Sequence, residues 1–109
     1  MLLLPPFVPQ AALANFHYCR GKIDVVWVES HGGVQIKGSW ASDHTKICNI
    51  NSSWNGVDKE VCKAWLSQAQ IAKTSGATVT ARYSGSAVNS CSTIPTYSQA
   101  PAPQYLMLD

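Results

Sequence analysis

The stretch that decides the fold is GKIDVVWVESHGGVQIKGS, residues 21–39. In its first half apolar and polar side chains alternate, with Ile23, Val25 and Trp27 on one face, as in a half-buried strand. The glycines of the turn that follows can adopt positive φ, and the alternation resumes over residues 34–39. The stretch therefore predicts a β-hairpin.

Three further strands are predicted toward the C-terminus. Period-two alternation marks residues 45–50 and 78–83, and residues 104–108 can supply a last strand that closes the sheet. A long connection rich in Ser, Pro and Gly, residues 84–103, separates the last two strands. Together with the hairpin, these segments make five predicted strands.

One helix is predicted between the third and fourth strands. Apolar side chains recur there at the spacing of one helical face, at Val61, Trp65, Ala69 and Ala72. Asn55 or Asp58 is suited to cap the first N–H groups, and Gly76 supplies the left-handed conformation that ends many helices. We expect Trp65 to lie in the core.

Length and charge restrict the kinds of protein this can be. A chain of 109 residues can bury one core and no more, so it is one domain. Only 13% of the residues are charged and the net charge is +2, without the basic stripe that binding to phosphates requires. This composition excludes nucleic acid as a partner and is typical of proteins outside the cytoplasm.

The first 14 residues, MLLLPPFVPQAALA, resemble an export signal. They are apolar and uncharged, and they end in Ala12-Leu13-Ala14, the small-x-small pattern that signal peptidase cleaves. We interpret residues 1–14 as a remnant signal peptide or, alternatively, an N-terminal arm, and residues 15–109 as the single domain. No stretch reaches the roughly 18 apolar residues of a membrane span. The predicted location is secreted or periplasmic.

The four cysteines indicate two disulfides, because an even number in a small exported domain usually forms a disulfide framework. Three pairings are open from the count alone. The spacings contain no C-x-x-C and no Cys/His cluster, so no metal site and no cofactor are predicted.

Five strands with a helix between strands 3 and 4 is the order of a mainly β (α+β), five-stranded OB-like antiparallel barrel. Residues 47–83 read ICNINSSWNG, then the helix, then TSGATVTARY, and this resembles the B subunit of subtilase-type cytotoxins. CSTIPTY at 91–97 and the Ala-Pro repeat at 100–103 are similar to small exported bacterial proteins, some carried on integron gene cassettes. The resemblance implies an OB-like fold, a ring-shaped homo-oligomer and glycan binding at the barrel edge.

If the fold is this barrel, the positions of its strands favour one of the three possible disulfide pairings. Its first strand, which Cys19 opens, lies next to the closing segment that Cys91 anchors. Cys48 ends the third strand and Cys62 occupies the first turns of the helix, with a short loop between them. We therefore predict the bridges Cys19–Cys91 and Cys48–Cys62.

No catalytic constellation is visible in the sequence. The only suggestive pair is Asp43-His44, and there is no G-x-S-x-G, H-E-x-x-H or P-loop motif. Asp58 and Glu60 look like first-turn helix residues rather than paired catalytic carboxylates. The sequence predicts a protein that is not an enzyme, with a small hydrolase as the weakest alternative.

A binding module is the better hypothesis, because aromatic side chains in polar turns are how proteins commonly hold sugars. The candidate ligand-binding residues are Trp40, Asp43, His44, Trp54 and Asn55. The expected partner is a glycan or another cell-surface ligand. In the alternative, the chain is a structural or assembly subunit whose aromatic residues lie in an interface.

Overall fold

A computed structural model describes residues 16–109. The predicted signal peptide or arm, residues 1–14, lies outside this part of the chain. The described residues form six strands and two helices, with these bounds: β1 (Phe16–Gly21), β2 (Ile23–Val28), β3 (Gly33–Gly38), β4 (Thr45–Asn49), α1 (Lys59–Ser75), β5 (Val79–Ser84), a 3-10 helix (Cys91–Thr93) and β6 (Tyr105–Leu108).

The strands make two antiparallel sheets of three, and the fold is α+β. The first sheet has the order β2-β3-β4 and the second the order β1-β5-β6. Helix α1 packs against the first sheet and against β6. The fully buried side chains of the core come from both sheets and the helix, among them Val34, Ile36, Ile47, Cys62, Ala69, Val79, Ala81 and Tyr83.

The prediction of a five-stranded OB-like barrel with its helix between strands 3 and 4 is wrong. The strand predicted from Gly21 onward corresponds to β2, and β1 is an additional strand that ends at Gly21. Between them, the Lys22 N–H donates to Ser39 Oγ at 3.0 Å and the Lys22 carbonyl accepts from the Ser39 N–H at 2.9 Å. β1 pairs with β5 and β2 pairs with β3, so the two strands belong to different sheets. There are consequently six strands, and the helix follows β4.

The barrel is also not closed, because the edge of β4 is occupied by other backbone. The Lys46 N–H donates to the Tyr97 carbonyl at 3.1 Å, and the Tyr97 N–H donates to the His44 carbonyl at 2.7 Å. Within residues 16–109, β6 pairs with β5 and not with β4. The connection before β6, rather than β6 itself, therefore borders the first sheet.

A β-bulge near the start of β2 changes which side chains face outward. Ile23 is opposite Gly38 and Val25 is opposite Lys37, so Asp24 is an extra residue in the ladder. One extra residue moves every later side chain to the other face of the sheet. Ile23 is therefore buried while Trp27 lies on the outer face, and the expectation that they share one face is wrong.

Two disulfides fasten one strand of each sheet to a helical segment. Cys19 is bonded to Cys91 and Cys48 to Cys62, with Cα–Cα distances of 5.6 and 5.5 Å. These are the two pairs that the sequence analysis predicts. The Cys19–Cys91 bond fastens the long connection to β1, and the Cys48–Cys62 bond fastens the first turn of α1 to β4.

Both ends of α1 are capped by residues that the sequence pattern predicted for that role. Asp58 is the N-cap, and its carboxylate accepts from the Glu60 N–H at 2.8 Å. Gly76 ends the helix at φ 74°. Asn55, the other candidate cap, instead forms a two-residue turn with Gly56, both at positive φ, which is the backbone that an Asn-Gly type I′ turn requires.

Replacing Asp58 by alanine is expected to lower the free energy of unfolding by about 1 kcal/mol, because the Glu60 N–H loses its acceptor. Urea denaturation of the oxidised protein measures the change. The matched control is Asp58→Asn, which keeps an acceptor oxygen and should lose less. Equal losses in the two variants would show that the charge of Asp58, and not its capping bond, stabilises the helix.

Candidate functional site

Three aromatic side chains meet on the outer face of the first sheet. The Trp27 ring stacks on the His44 ring with centroids 4.2 Å apart and an angle of 19° between the planes. The Tyr97 ring lies 6.4 Å from Trp27 and 6.0 Å from His44, within 28° of parallel to each. We call Trp27, His44 and Tyr97 the aromatic cluster.

Backbone structure places each member of the cluster. The bulge in β2 turns Trp27 outward, and His44 immediately precedes β4. Tyr97 arrives from the long connection at φ 57°, a left-handed conformation that is rare for a large side chain and costs free energy. Its N–H and carbonyl bonds to the edge of β4 hold it there.

A carboxylate links two members of the cluster. Asp43 accepts from the His44 backbone N–H and from His44 Nδ1, both at 2.7 Å, and from the Tyr97 hydroxyl at 3.2 Å. The bonds from His44, the backbone N–H foremost, lower the pKa of the Asp43 carboxyl from its usual value. The bond to Asp43 in turn raises the pKa of the Tyr97 hydroxyl. The carboxylate is therefore ionised at neutral pH and fixes both rings.

The cluster is open to solvent although its members are held rigidly. Trp27 is 37% exposed and Tyr97 is 43% exposed, while the imidazole of His44 is mostly covered. Exposed apolar groups that lie together mark interaction sites more often than groups scattered singly over a surface. The arrangement offers roughly parallel ring faces next to a hydrogen-bond acceptor.

A polar row continues across the sheet from the cluster. Gln35 on β3 is directly opposite Trp27, and Lys46 on β4 is directly opposite Gln35, so their side chains share the outer face. The Lys46 ammonium lies 5.0 Å above the ring of Trp54. We call Gln35, Lys46 and Trp54 the polar row.

The structure brings together only some of the predicted site residues. Asp43 and His44 lie in or beside the aromatic cluster, and Trp54 ends the polar row. The half-buried Trp40 packs over Gly38, where an added Cβ would come within 2.5 Å of the indole ring. Asn55 lies on a separate groove of about 410 Å³, which also contacts Asp58, Val61, Trp65 and Gln104.

Two members of the cluster, Trp27 and Tyr97, were not among the predicted site residues. Tyr97 satisfies the criterion that selected Trp40 and Trp54, an aromatic residue in a polar segment, and that criterion could have found it. Trp27 had no such signal, because its place in an alternating strand indicated the core.

Within residues 16–109, the only side-chain hydrogen bond of the His44 ring is to a carboxylate. Its Nδ1 is bonded to Asp43, and among residues 16–109 no Ser, Thr or Cys side chain is hydrogen-bonded to its ring. The same part of the chain has no group of three or more side chains able to hold a metal ion. None of the helices in this region is long and apolar enough to cross a membrane.

Comparisons with known proteins give no relatives: no family model, no curated protein and no solved structure matches the chain. The resemblance to toxin B subunits and to cassette-borne exported proteins therefore rests on the quoted residues alone.

Proposed function

We propose that this protein is a non-catalytic, exported module that binds carbohydrate at the aromatic cluster. One observation carries the proposal: the nearly parallel, exposed rings of Trp27 and Tyr97 stand beside the ionised carboxylate of Asp43. The apolar C–H face of a pyranose packs on such rings, and its hydroxyls donate to carboxylate oxygens. A site with exposed rings and a carboxylate can therefore contact both the apolar face and the hydroxyl groups of a sugar.

The rigidity of the cluster supports binding. Asp43 fixes His44 and Tyr97, and the His44 ring supports Trp27 from one side. Side chains that are already immobilised lose little conformational entropy when a ligand arrives, so more of the contact free energy remains as affinity.

Different observations support the proposed export and the proposed lack of catalysis. Two disulfides are typical of proteins that fold in an oxidising compartment, and together with the leader-like residues 1–14 they favour a secreted or periplasmic location. The His44 ring stacks on Trp27 and the Asp43 carboxylate accepts from the Tyr97 hydroxyl, so both members of the Asp43–His44 pair are engaged in positioning aromatic rings.

A structural or assembly subunit is the second candidate, favoured by the outer face of the second sheet. Large apolar side chains are exposed there on β1 and β6, namely Phe16, Tyr18 and Met107. The Arg82 guanidinium lies between the rings of Phe16 and Tyr105, 4.4 and 5.1 Å from their centroids. A homo-oligomer formed through this face would leave the aromatic cluster on the first sheet free.

Replacing Trp27 or Tyr97 by alanine is expected to weaken carbohydrate binding by roughly tenfold or more, because each change removes a central stacking surface. A glycan array selects the sugar, and isothermal titration calorimetry measures the dissociation constants. Tyr18→Ala, an exposed aromatic residue on the other sheet, is the matched control and should bind like the parent protein. Absence of any binding on the array, or full affinity in Trp27→Ala, would contradict the proposal.

A further inference from the structure

The outer face of the first sheet connects two aromatic positions that belong to different segments. Trp27 lies on β2, and the other end of the polar row is Trp54, which contacts the Lys46 side chain on β4. Adjacent strands are separated by ~4.8 Å, so β2 and β4 are ~10 Å apart. That span is longer than one pyranose ring.

Lys46 is the least expected residue of the row. It is only 7% exposed, and among residues 16–109 its ammonium has neither an ion-pair partner nor a hydrogen-bond acceptor. The Trp54 ring attracts the cation, but a ring face does not accept three N–H bonds. The ammonium is not one of the fully enclosed side-chain atoms that lack a partner, so the buried part of Lys46 is its aliphatic stem. A ligand oxygen placed beside Trp54 could therefore accept a hydrogen bond from Lys46 Nζ.

Gln35, on the same face, also has a polar atom without a hydrogen-bond partner. It is 2% exposed, and its Oε1 has no hydrogen-bond partner among the described residues. Its Nε2 makes one long bond, 3.4 Å, to Glu29 Oε2. Buried amide oxygens are nearly always paired. The row between Trp27 and Lys46 therefore contains an enclosed acceptor without a partner next to an ammonium without an acceptor, and the Gln35 amide would have to turn outward to meet a sugar hydroxyl.

We infer that the binding site extends from the aromatic cluster along the polar row to Trp54, and that its ligand is an oligosaccharide rather than a monosaccharide. One sugar unit stacks at Trp27 and Tyr97. A following unit lies over the polar row, accepts a hydrogen bond from Lys46 Nζ and contacts the edge of Trp54. This inference rests on the proposed carbohydrate binding and adds the length of the ligand to it.

The test compares ligands of increasing length on the oxidised protein. Glucose, galactose, mannose and N-acetylglucosamine are titrated by calorimetry beside their linear di- and trisaccharides. The parent protein should bind the trisaccharide of its preferred series roughly tenfold more tightly than the monosaccharide, a difference of about 1.4 kcal/mol. Trp54→Ala and Lys46→Met should lose this gain and keep the monosaccharide affinity, whereas Trp27→Ala should lose both.

The outcomes separate the inference from the proposal on which it rests. Equal affinity for monosaccharide and trisaccharide, or an unchanged gain in Lys46→Met, would overturn the extended site and leave carbohydrate binding standing. Binding of none of these sugars would overturn both. Lys46→Met retains the aliphatic stem over Trp54, so it decides the matter alone if Trp54→Ala does not fold.

Discussion

Replacing Cys19 and Cys91 together by alanine is expected to lower the free energy of unfolding by about 4 kcal/mol. The two cysteines are 72 residues apart in the sequence. Without the bond this long loop is no longer closed in the unfolded state, so the conformational entropy of the unfolded state increases. The Cys48–Cys62 bond spans 14 residues, and the corresponding double variant should lose about 3 kcal/mol. A loss of 4 kcal/mol is a large share of the stability of a domain this small.

Urea denaturation of the two double variants, both without reductant, measures these losses. Each variant replaces one pair of cysteines by alanine, so the two serve as matched controls for the change of side chain. A larger loss on removing the shorter-range bond would contradict the entropic account. Peptide mapping of the parent protein without reduction provides the covalent check, and a Cys19–Cys48 peptide would refute the pairing itself.

Replacing Tyr83 by phenylalanine is expected to remove an alkaline loss of stability that the parent protein shows. Burial raises the pKa of the Tyr83 hydroxyl to about 12, whereas tyrosine in an unfolded chain titrates near pH ~10. Above pH ~10 the unfolded state releases this proton and the folded state retains it, so the unfolded state gains stability. The contribution is complete below pH ~10 and declines by about 2 kcal/mol as the pH rises to 12.

The measurement is urea denaturation of both proteins at several pH values between 8 and 12. Tyr83→Phe should show the smaller decline, and Tyr18→Phe, which changes an exposed hydroxyl, should follow the parent protein. At neutral pH the Tyr83→Phe variant should be about as stable as the parent, because the buried hydroxyl has no hydrogen-bond partner among the described residues. Identical alkaline declines in Tyr83→Phe and the parent would contradict the prediction.

Local patterns in the sequence predicted most of the individual elements, although β1 was not among the five predicted strands. The hairpin of β2 and β3 and the strands β4 and β5 follow from alternation, which depends only on neighbouring residues. The helix ends where Gly76 allows it to end, and Asp58 caps it. The buried face of the helix differs from the predicted face at one position. Cys62 is buried there in place of Val61, because Cys62 is bonded to Cys48 on β4.

The way these elements assemble into two sheets could not be predicted, because it is determined at single residues that have no distinctive sequence pattern. Lys22 and Asp24 both occupy ordinary alternating positions, yet the chain passes from one sheet to the other at Lys22, and Asp24 shifts the register of β2. That shift brings Trp27 to the surface and creates the aromatic cluster. The pairing of Tyr97 with the edge of β4 could not be predicted for a different reason, since its contacts with His44 and Lys46 cross about 50 residues of chain.

The position of Tyr97 on β4 also bears on how the folded protein avoids aggregation. Unpaired N–H and C=O groups along the edge of a sheet can template the strand of another molecule. Tyr97 satisfies two such groups at the start of β4, and the nearest covalent anchor of its segment is Cys91. The bond that closes the 72-residue loop therefore also tethers the segment that covers this edge.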